Sequence, residues 1–405
     1  MTGCEVKLIE DGADALVVGV SGRISADNAR EAEDTIRSFA AGREDRLLVL
    51  DMSELAYIAS AGLRAIMRLL KQGGKVRVVE VSPEVYDVFE MTGFTQLLEV
   101  RKRLRQISLE GATMLGKGAN GEVWRLDDET IVKVYNEGAS LDKIALENDH
   151  ATAAFKVGLP CAIAFDTVRV DTRYGIVFEL LNAETVGHHV TNHPESIPEM
   201  GDAMGRLLRE MHSTKAEPGS LPRIVDKMHG WIDYIAQAYG DVVTDEDIAL
   251  LRQVVDAAPD TGTIIHNDFH EGNIMLQGNE LVLIDLDDVC SGNPVFDLIN
   301  QYSSHVIVVQ QKPEVAGKSL GMRVEDVMPM YDQTLLAYFD GDVARVEQHK
   351  QVMQLMSLFM FMIFPAKSKD SSNMTPETAQ TIYAQILPQF RAMAPQIVQA
   401  MGMYR

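Results

Sequence analysis

Cysteine is almost missing: Cys4, Cys161 and Cys290 are the only three in 405 residues, with neither a metal-binding spacing nor an evident pairing. That excludes a disulfide scaffold and a cysteine-ligated metal, and it suits a reducing compartment. No apolar run is long enough to span a bilayer. The greasiest stretch, Met353 to Pro365, reads as a buried helix or as a methionine-lined wall of a binding site. Glu5, Glu10, Asp11 and Asp14 interrupt the first twenty residues, so no secretory signal is expected and the chain reads as cytoplasmic. Internal repeats and low-complexity segments are lacking too. Basic residues are outnumbered by acidic ones, 37 to 59, for a formal net charge of −22. The imbalance lies late in the chain: residues 1–105 carry 15 Lys+Arg and 17 Asp+Glu, the remainder 22 and 42. Such a field repels nucleic acid and anionic membrane, so neither is an expected partner. It is compatible with a cationic small molecule. The one clear basic cluster, Arg101-Lys102-Arg103 with Arg105, reads as a solvated linker.

What is present is chemically dense. His266-Asn267-Asp268-Phe269-His270-Glu271-Gly272-Asn273 is followed by Leu283-Ile284-Asp285-Leu286-Asp287. Asp268 can accept the proton of an attacking hydroxyl, with His266 beside it as a second candidate catalytic residue. Asn273 and Asp285 can hold Mg²⁺ against nucleotide phosphates. H-x-D-x-x-x-x-N alone is a weak pattern. The apolar stretch Leu281 to Ile284, read as a strand delivering Asp285, makes it a strong one.

The upstream parts of such a site lie in order. Gly116, Gly118 and Gly121 form G-x-G-x-x-G-x-V, between apolar Ala112 to Leu115 and a strand at Glu122 to Leu126. Glycines let backbone approach ATP phosphates closely. A dinucleotide loop would need a helix next, whereas here a polar turn at 127–130 leads to another strand, Ile131 to Tyr135, so a hairpin is expected. That strand carries Lys133, suited to the α- and β-phosphates, with Glu147 on the helical stretch Leu141 to Lys156 as its ion-pair partner. A solvated strand lysine and a surface helix acid are the plain alternatives. The strand Gly175 to Leu181, with Glu179 and Leu181 at its end, falls where a hinge would bind adenine. An ordinary core strand is the other reading.

These residues resemble the aminoglycoside phosphotransferase branch of the kinase-like superfamily, which includes choline and homoserine kinases. The resemblance covers roughly residues 108–405. It rests on the run at 266–273, on Ile284-Asp285-Leu286-Asp287-Asp288, on Asn293 to Leu298, and more weakly on Met204 to His212. It implies that Asp268 is the catalytic acid, that Asn273 and Asp285 are metal ligands, and that Asp297 braces the catalytic loop. Asp287 stands where protein kinases have the glycine of D-F-G. It can serve a second metal, face a cationic substrate, or be a solvated loop acid. Asn267 replaces the Arg of H-R-D, and only eleven residues separate Asp285 from Asp297. A long activation segment has no room there, which favours a small hydroxyl-bearing substrate over a protein.

Residues 1–105 alternate strand-like and helix-like stretches: Ala15 to Val20, Ala26 to Ala40, Leu47 to Asp51, Ala61 to Gln72 and Val76 to Val81. Ser82-Pro83-Glu84 then starts a helix to Met91. Leu48 to Ser53, Tyr57 to Arg64 and Ser82 to Gly93 resemble the STAS domain of anti-sigma-factor antagonists, which implies a regulatory module that binds a protein partner. The regulatory loop of that family reads D-S-S-G-L, with the second Ser phosphorylated. Ala59 replaces the Asp here and Ala61 replaces that Ser, while Ser60 reads as an N-cap for a helix at Ala61.

The expected fold is an α/β STAS-like domain (1–105) followed by a two-lobed α+β protein-kinase-like domain, with an N-lobe at 106–182 and a helical C-lobe at 183–405. The expected function is ATP- and Mg²⁺-dependent phosphoryl transfer to a small hydroxyl-bearing molecule. The rivals are a protein Ser/Thr kinase acting on a partner of the STAS module, and a nucleotide-binding scaffold.

Overall fold

A computed structural model describes residues 3–404 other than 44, 72–74, 119 and 370–373. It divides into two compact units, Met1–Gln106 and Ile107–Arg405.

In the first unit, β1 (Cys4–Asp11), β2 (Ala15–Ile24), β3 (Leu47–Asp51), β4 (Leu55–Ile58), β5 (Lys75–Val81) and β6 (Glu99–Lys102) form one sheet, with α1 (Ala29–Ala40), α2 (Ser60–Lys71) and α3 (Pro83–Met91) between them. The order is β1-β2-β3-β5-β6, with β4 also on β2. β1 runs antiparallel to β2, and the other pairings are parallel. Along Ala15–Val20 of β2 and along β3 burial alternates residue by residue, as expected where one face meets the core and the other does not. Val18, Leu50, Val78 and Phe89 make the fully buried centre of that core.

The boundaries expected from sequence hold closely for β3, β5 and α3, whose Ser82 hydroxyl caps the Val85 N–H. Three strands were not anticipated. β1 shows mostly exposed residues and β4 has only four, so neither carries a usable alternation. The third, β6, takes in Arg101 and Lys102, and Arg101 Nε lies 2.5 Å from Glu99. The supposed linker is therefore partly sheet edge. Gln72, expected at the end of α2, is outside the described residues.

The Ser60 cap is also corrected. α2 begins at Ser60 itself, and the Ala59 carbonyl accepts from Leu63 N–H, so Ala59 occupies the cap position. Exposed Ser60 is a first-turn residue whose hydroxyl has no bond among the described residues. Ser60→Ala should therefore change stability by less than about 0.5 kcal/mol rather than by a cap's worth. Hydrogen exchange along α2, unchanged in the variant, checks this.

The second unit opens with a six-stranded sheet: β7 (Arg105–Ile107), β8 (Thr113–Lys117), β9 (Gly121–Arg125), β10 (Thr130–Tyr135), β11 (Ala164–Val170) and β12 (Arg173–Glu179), with α4 (Leu141–Lys156) after β10. Its order is β7-β11-β12-β10-β9-β8. β8, β9 and β10 are successive antiparallel strands, so the hairpin expected across 127–130 is present.

The helical lobe follows, with α5 (Val186–Asn192), α6 (Ile197–Ser213), α7 (Ile224–Tyr239) and α8 (Asp245–Ala257) ahead of the site loops. α9 (Val295–Tyr302), α10 (Val309–Gln311), α11 (Pro313–Leu320), α12 (Val324–Tyr338), α13 (Val343–Lys367) and α14 (Pro376–Met403) come after them. Short strands accompany these helices, one just before α5 and the others between α8 and α9. β13 (Glu184–Thr185), β15 (Ile274–Gln277) and β16 (Glu280–Leu283) form one ladder, and β14 (Thr263–Ile265) with β17 (Cys290–Gly292) form another. These ladders fix the two ends of the loops that carry the candidate site. Met353, Met356, Phe359, Met362 and Ile363 of α13 are fully buried, so the greasy stretch is core. Among the described residues no helix is long and apolar enough to cross a membrane.

Candidate active site

Lys133 sits mid-strand in β10, flanked by the fully buried Val132 and Val134. Its Nζ lies 2.9 Å from Glu147 Oε1 of α4 and 2.6 Å from Asp285 Oδ1. Three residues separated by up to 152 positions thus meet at one ammonium. Burial alone would lower the Lys133 pKa, but the carboxylates of Asp285 and Glu147, with Asp287 behind them, outweigh it and raise it. Lys133 is therefore a fixed cation. The Asp287 pKa is raised as well, up to about 8, by burial and by the neighbouring Asp285 carboxylate. Its side chain is half-buried.

Asp285 has φ +60° and Asn267 φ +64°, a left-handed backbone region costly for most side chains and least so for Asn and Asp. Both lie where the chain turns sharply out of a strand, after β16 and β14. Asp268 stands at the lip, its side chain 54% exposed and 3.6 Å from His270 Nε2. Burial works to raise its pKa, but the facing His270, with Lys367 and His266, holds the carboxyl well below the usual range. Asn273 Nδ2 donates to the Asp268 carbonyl at 3.1 Å and to its carboxylate at 3.2 Å. The Asn273 side-chain oxygen is thereby the end left for another ligand.

The His266 side chain is wholly buried, and its Nε2 donates to the Ile284 carbonyl at 3.3 Å. It ties the Asp268 loop to the residue before Asp285. Asp297 does the larger bracing. It accepts from the His266 N–H at 2.8 Å, from the Asn267 N–H, and from His212 Nε2 at 3.1 Å, and it is 1% exposed. His212, the last residue of the weakly supportive 204–212 run, thus has a definite partner.

Three contributors were not anticipated. Lys367, in the last turn of α13, donates to the Asn267 carbonyl at 2.9 Å, which places a cation beside the loop where H-R-D kinases carry Arg. Glu271 is buried against His305 at 3.0 Å, and His305 lies in a π-helical segment, Ser303–Val308. Lys227 of α7 pairs with Asp288 at 2.8 Å. None of the three was visible beforehand, because all three pairings depend on helix packing.

The glycines divide by role. A Cβ on Gly116 or Gly118 would meet nothing within 4 Å, whereas one on Gly121 would come within 2.1 Å of the Val134 carbonyl oxygen. Gly121 is thus demanded by β9–β10 pairing, and Gly116 and Gly118 leave open space above the strand ends. Ala119, between them, is outside the described residues. Gly121→Ala should cost about 1–3 kcal/mol through overpacking; Gly118→Ala should leave stability unchanged and act on nucleotide affinity alone. Urea unfolding followed by tryptophan fluorescence separates the two.

At the end of β12, the Glu179 side chain accepts from the Ile163 N–H at 2.8 Å, and the Leu180 N–H donates to the Glu129 carbonyl at 2.7 Å. Half-buried Leu181 comes next, and no described group bonds its N–H. Among the described residues no three His, Cys, Asp or Glu are grouped to hold a metal unaided.

The model of the phosphotransferase enzyme family matches residues 111–319, and that of the STAS domain matches residues 7–107. BtrV of Bordetella bronchiseptica, described as an anti-sigma factor antagonist, is 32% identical over 100 residues, 24% of this chain and 85% of that protein. Among solved structures, a choline/ethanolamine kinase family protein from Mesorhizobium loti is 16% identical with a TM-score of 0.45, covering 72% of this chain and 92% of that one. An ADP-bound aminoglycoside phosphotransferase, APH(2'')-Ib, is 13% identical with a TM-score of 0.44, covering 72% and 93%.

Proposed function

The chain belongs to the phosphotransferase enzyme family, with a STAS domain at its front, and on that premise we propose that it transfers the γ-phosphoryl group of ATP to a hydroxyl of a small molecule. The observation that carries this reading is the meeting of Lys133 with Glu147 and Asp285, alongside the bonded pair Asp268 and Asn273. Lys133 holds the α- and β-phosphates, and Glu147 orients Lys133. The open space at Gly116 and Gly118 admits the phosphates. The Glu179 carbonyl and the Leu181 N–H serve adenine.

Asn273 and Asp285 suit Mg²⁺, which prefers one or two oxygen ligands from the protein plus phosphate and water. The Asn273 oxygen left over from its bond to Asp268 and the two neighbouring carboxylates of Asp285 and Asp287 fit that donor set. When bound, the ion neutralises charge on the phosphate oxygens. The acceptor oxygen bonds to the γ-phosphorus as the bond to the β–γ bridging oxygen breaks. ADP leaves, and the hydroxyl proton passes to the Asp268 carboxylate. In a loose transition state the same carboxylate also aims the hydroxyl at the γ-phosphorus.

A small acceptor is favoured because the eleven residues between Asp285 and Asp297 are taken up by β17 and its flanks. Exposed Asp268 and the acidic composition of this unit favour a cationic one. The STAS domain would bind a protein partner. A screen of ATP consumption over amino alcohols, aminoglycosides and hydroxyl amino acids tests the reading. At least one class should stimulate turnover in wild type and not in Asp268→Asn. Nucleotide binding without stimulation by any class would count against a small acceptor.

A further inference from the structure

A cavity of about 340 Å³ lies among the ends of α6, α12 and α13 and strand β14, and it shares no residue with the Lys133–Asp268–Asp285 group. Its size is that of a small-molecule site. Its charge is the notable feature: Arg209, Lys215 and Arg345 line it, and no described Asp or Glu does. This concentration of cations sits in a unit where acidic residues outnumber basic ones almost two to one.

Two of the cations have local partners. Arg209 pairs with Asp340, and Lys215 Nζ donates to the Thr261 carbonyl at 2.5 Å. The Arg345 guanidinium lies 4.8 Å from the Phe339 ring centre and has no carboxylate partner among the described residues. Phe339, Tyr338 and Tyr404 supply aromatic walls. Like charges gathered around a hollow repel one another, and an anion inside relieves that repulsion. A guanidinium fork matches a carboxylate or phosphate in shape.

We propose that this cavity binds a small organic anion, a carboxylate or phosphate monoester carrying a ring or a short apolar body. The head group faces Arg345 and Lys215, and the body packs on the tyrosines. The site lies one residue from the catalytic brace. His212 reaches Asp297 through Nε2, and its Nδ1 meets the Tyr338 hydroxyl at 2.9 Å. An occupant touching Tyr338 therefore acts on the residue that holds the Asp268 loop.

The test uses the full chain with ADP and Mg²⁺ at saturation, so that the nucleotide site is filled, and phenyl phosphate as the probe. Calorimetric titration should show one saturable site that weakens with rising salt. Arg345→Gln with Lys215→Gln, both at exposed positions, should weaken it by about tenfold or more, since each loses a charge-assisted bond. A crystal soaked with phenyl phosphate should show the anion against Arg345, independently of any variant. Absence of saturable binding, equal affinity in the double variant, or density elsewhere only would overturn the proposal.

Discussion

Asp268→Asn should lower turnover by roughly 10²-fold or more while nucleotide affinity stays near wild type. The amide keeps the size of the side chain and can still accept from Asn273, but it cannot take the hydroxyl proton. Asp285→Asn should do the reverse first. It removes a charged metal ligand and half of the counter-charge on Lys133, so Mg²⁺-nucleotide affinity falls before chemistry is reached. Titration with a fluorescent nucleotide, with and without Mg²⁺, reads binding, and single-turnover assays read chemistry. If both variants match wild type in both measurements, phosphoryl transfer at this site is wrong.

The second large effect is structural. Asp297→Ala should destabilise the second unit by about 3–5 kcal/mol, the usual cost of breaking a buried charged pair. Its removal leaves the His266 and Asn267 N–H groups and His212 without their acceptor in a region closed to water. Asp297→Asn should lose less, because one acceptor oxygen remains. Both tryptophans, Trp124 and Trp231, lie in the second unit. Their fluorescence in urea therefore follows that unit without interference from the first. A midpoint for Asp297→Ala equal to that of wild type would mean the brace carries no energy.

Much of the site was legible in the sequence because its chemistry is written in short local motifs. Lys133 is marked by its apolar strand, and Asp268, Asn273 and Asp285 by spacing within twenty residues. The expected pairing of Lys133 with Glu147 is present, since a strand followed directly by a helix leaves few other placements. What spacing did not reveal is anything fixed by packing between distant helices. Lys367 reaches Asn267 across 100 positions and His305 meets Glu271 across 34. No period or motif encodes either contact. The burial of His266 inside the motif was likewise not encoded in the spacing. In the first unit the regular alternation of β2 and β3 was readable. β1, with one exposed face and little burial on the other, gave no such signal. At Ser60 the residue type suggested a cap, and a one-position difference in where α2 starts removed it.

Label transfer from [γ-³²P]ATP shows whether phosphate leaves ATP for a small molecule at Asp268. The full chain is incubated with Mg²⁺ and the pooled hydroxyl compounds, together with a lysate containing partners of the STAS domain, and products are separated by mass. Label in the low-mass fraction, dependent on Asp268, is the result predicted here. Label confined to protein, or equal low-mass label in Asp268→Asn, would contradict it.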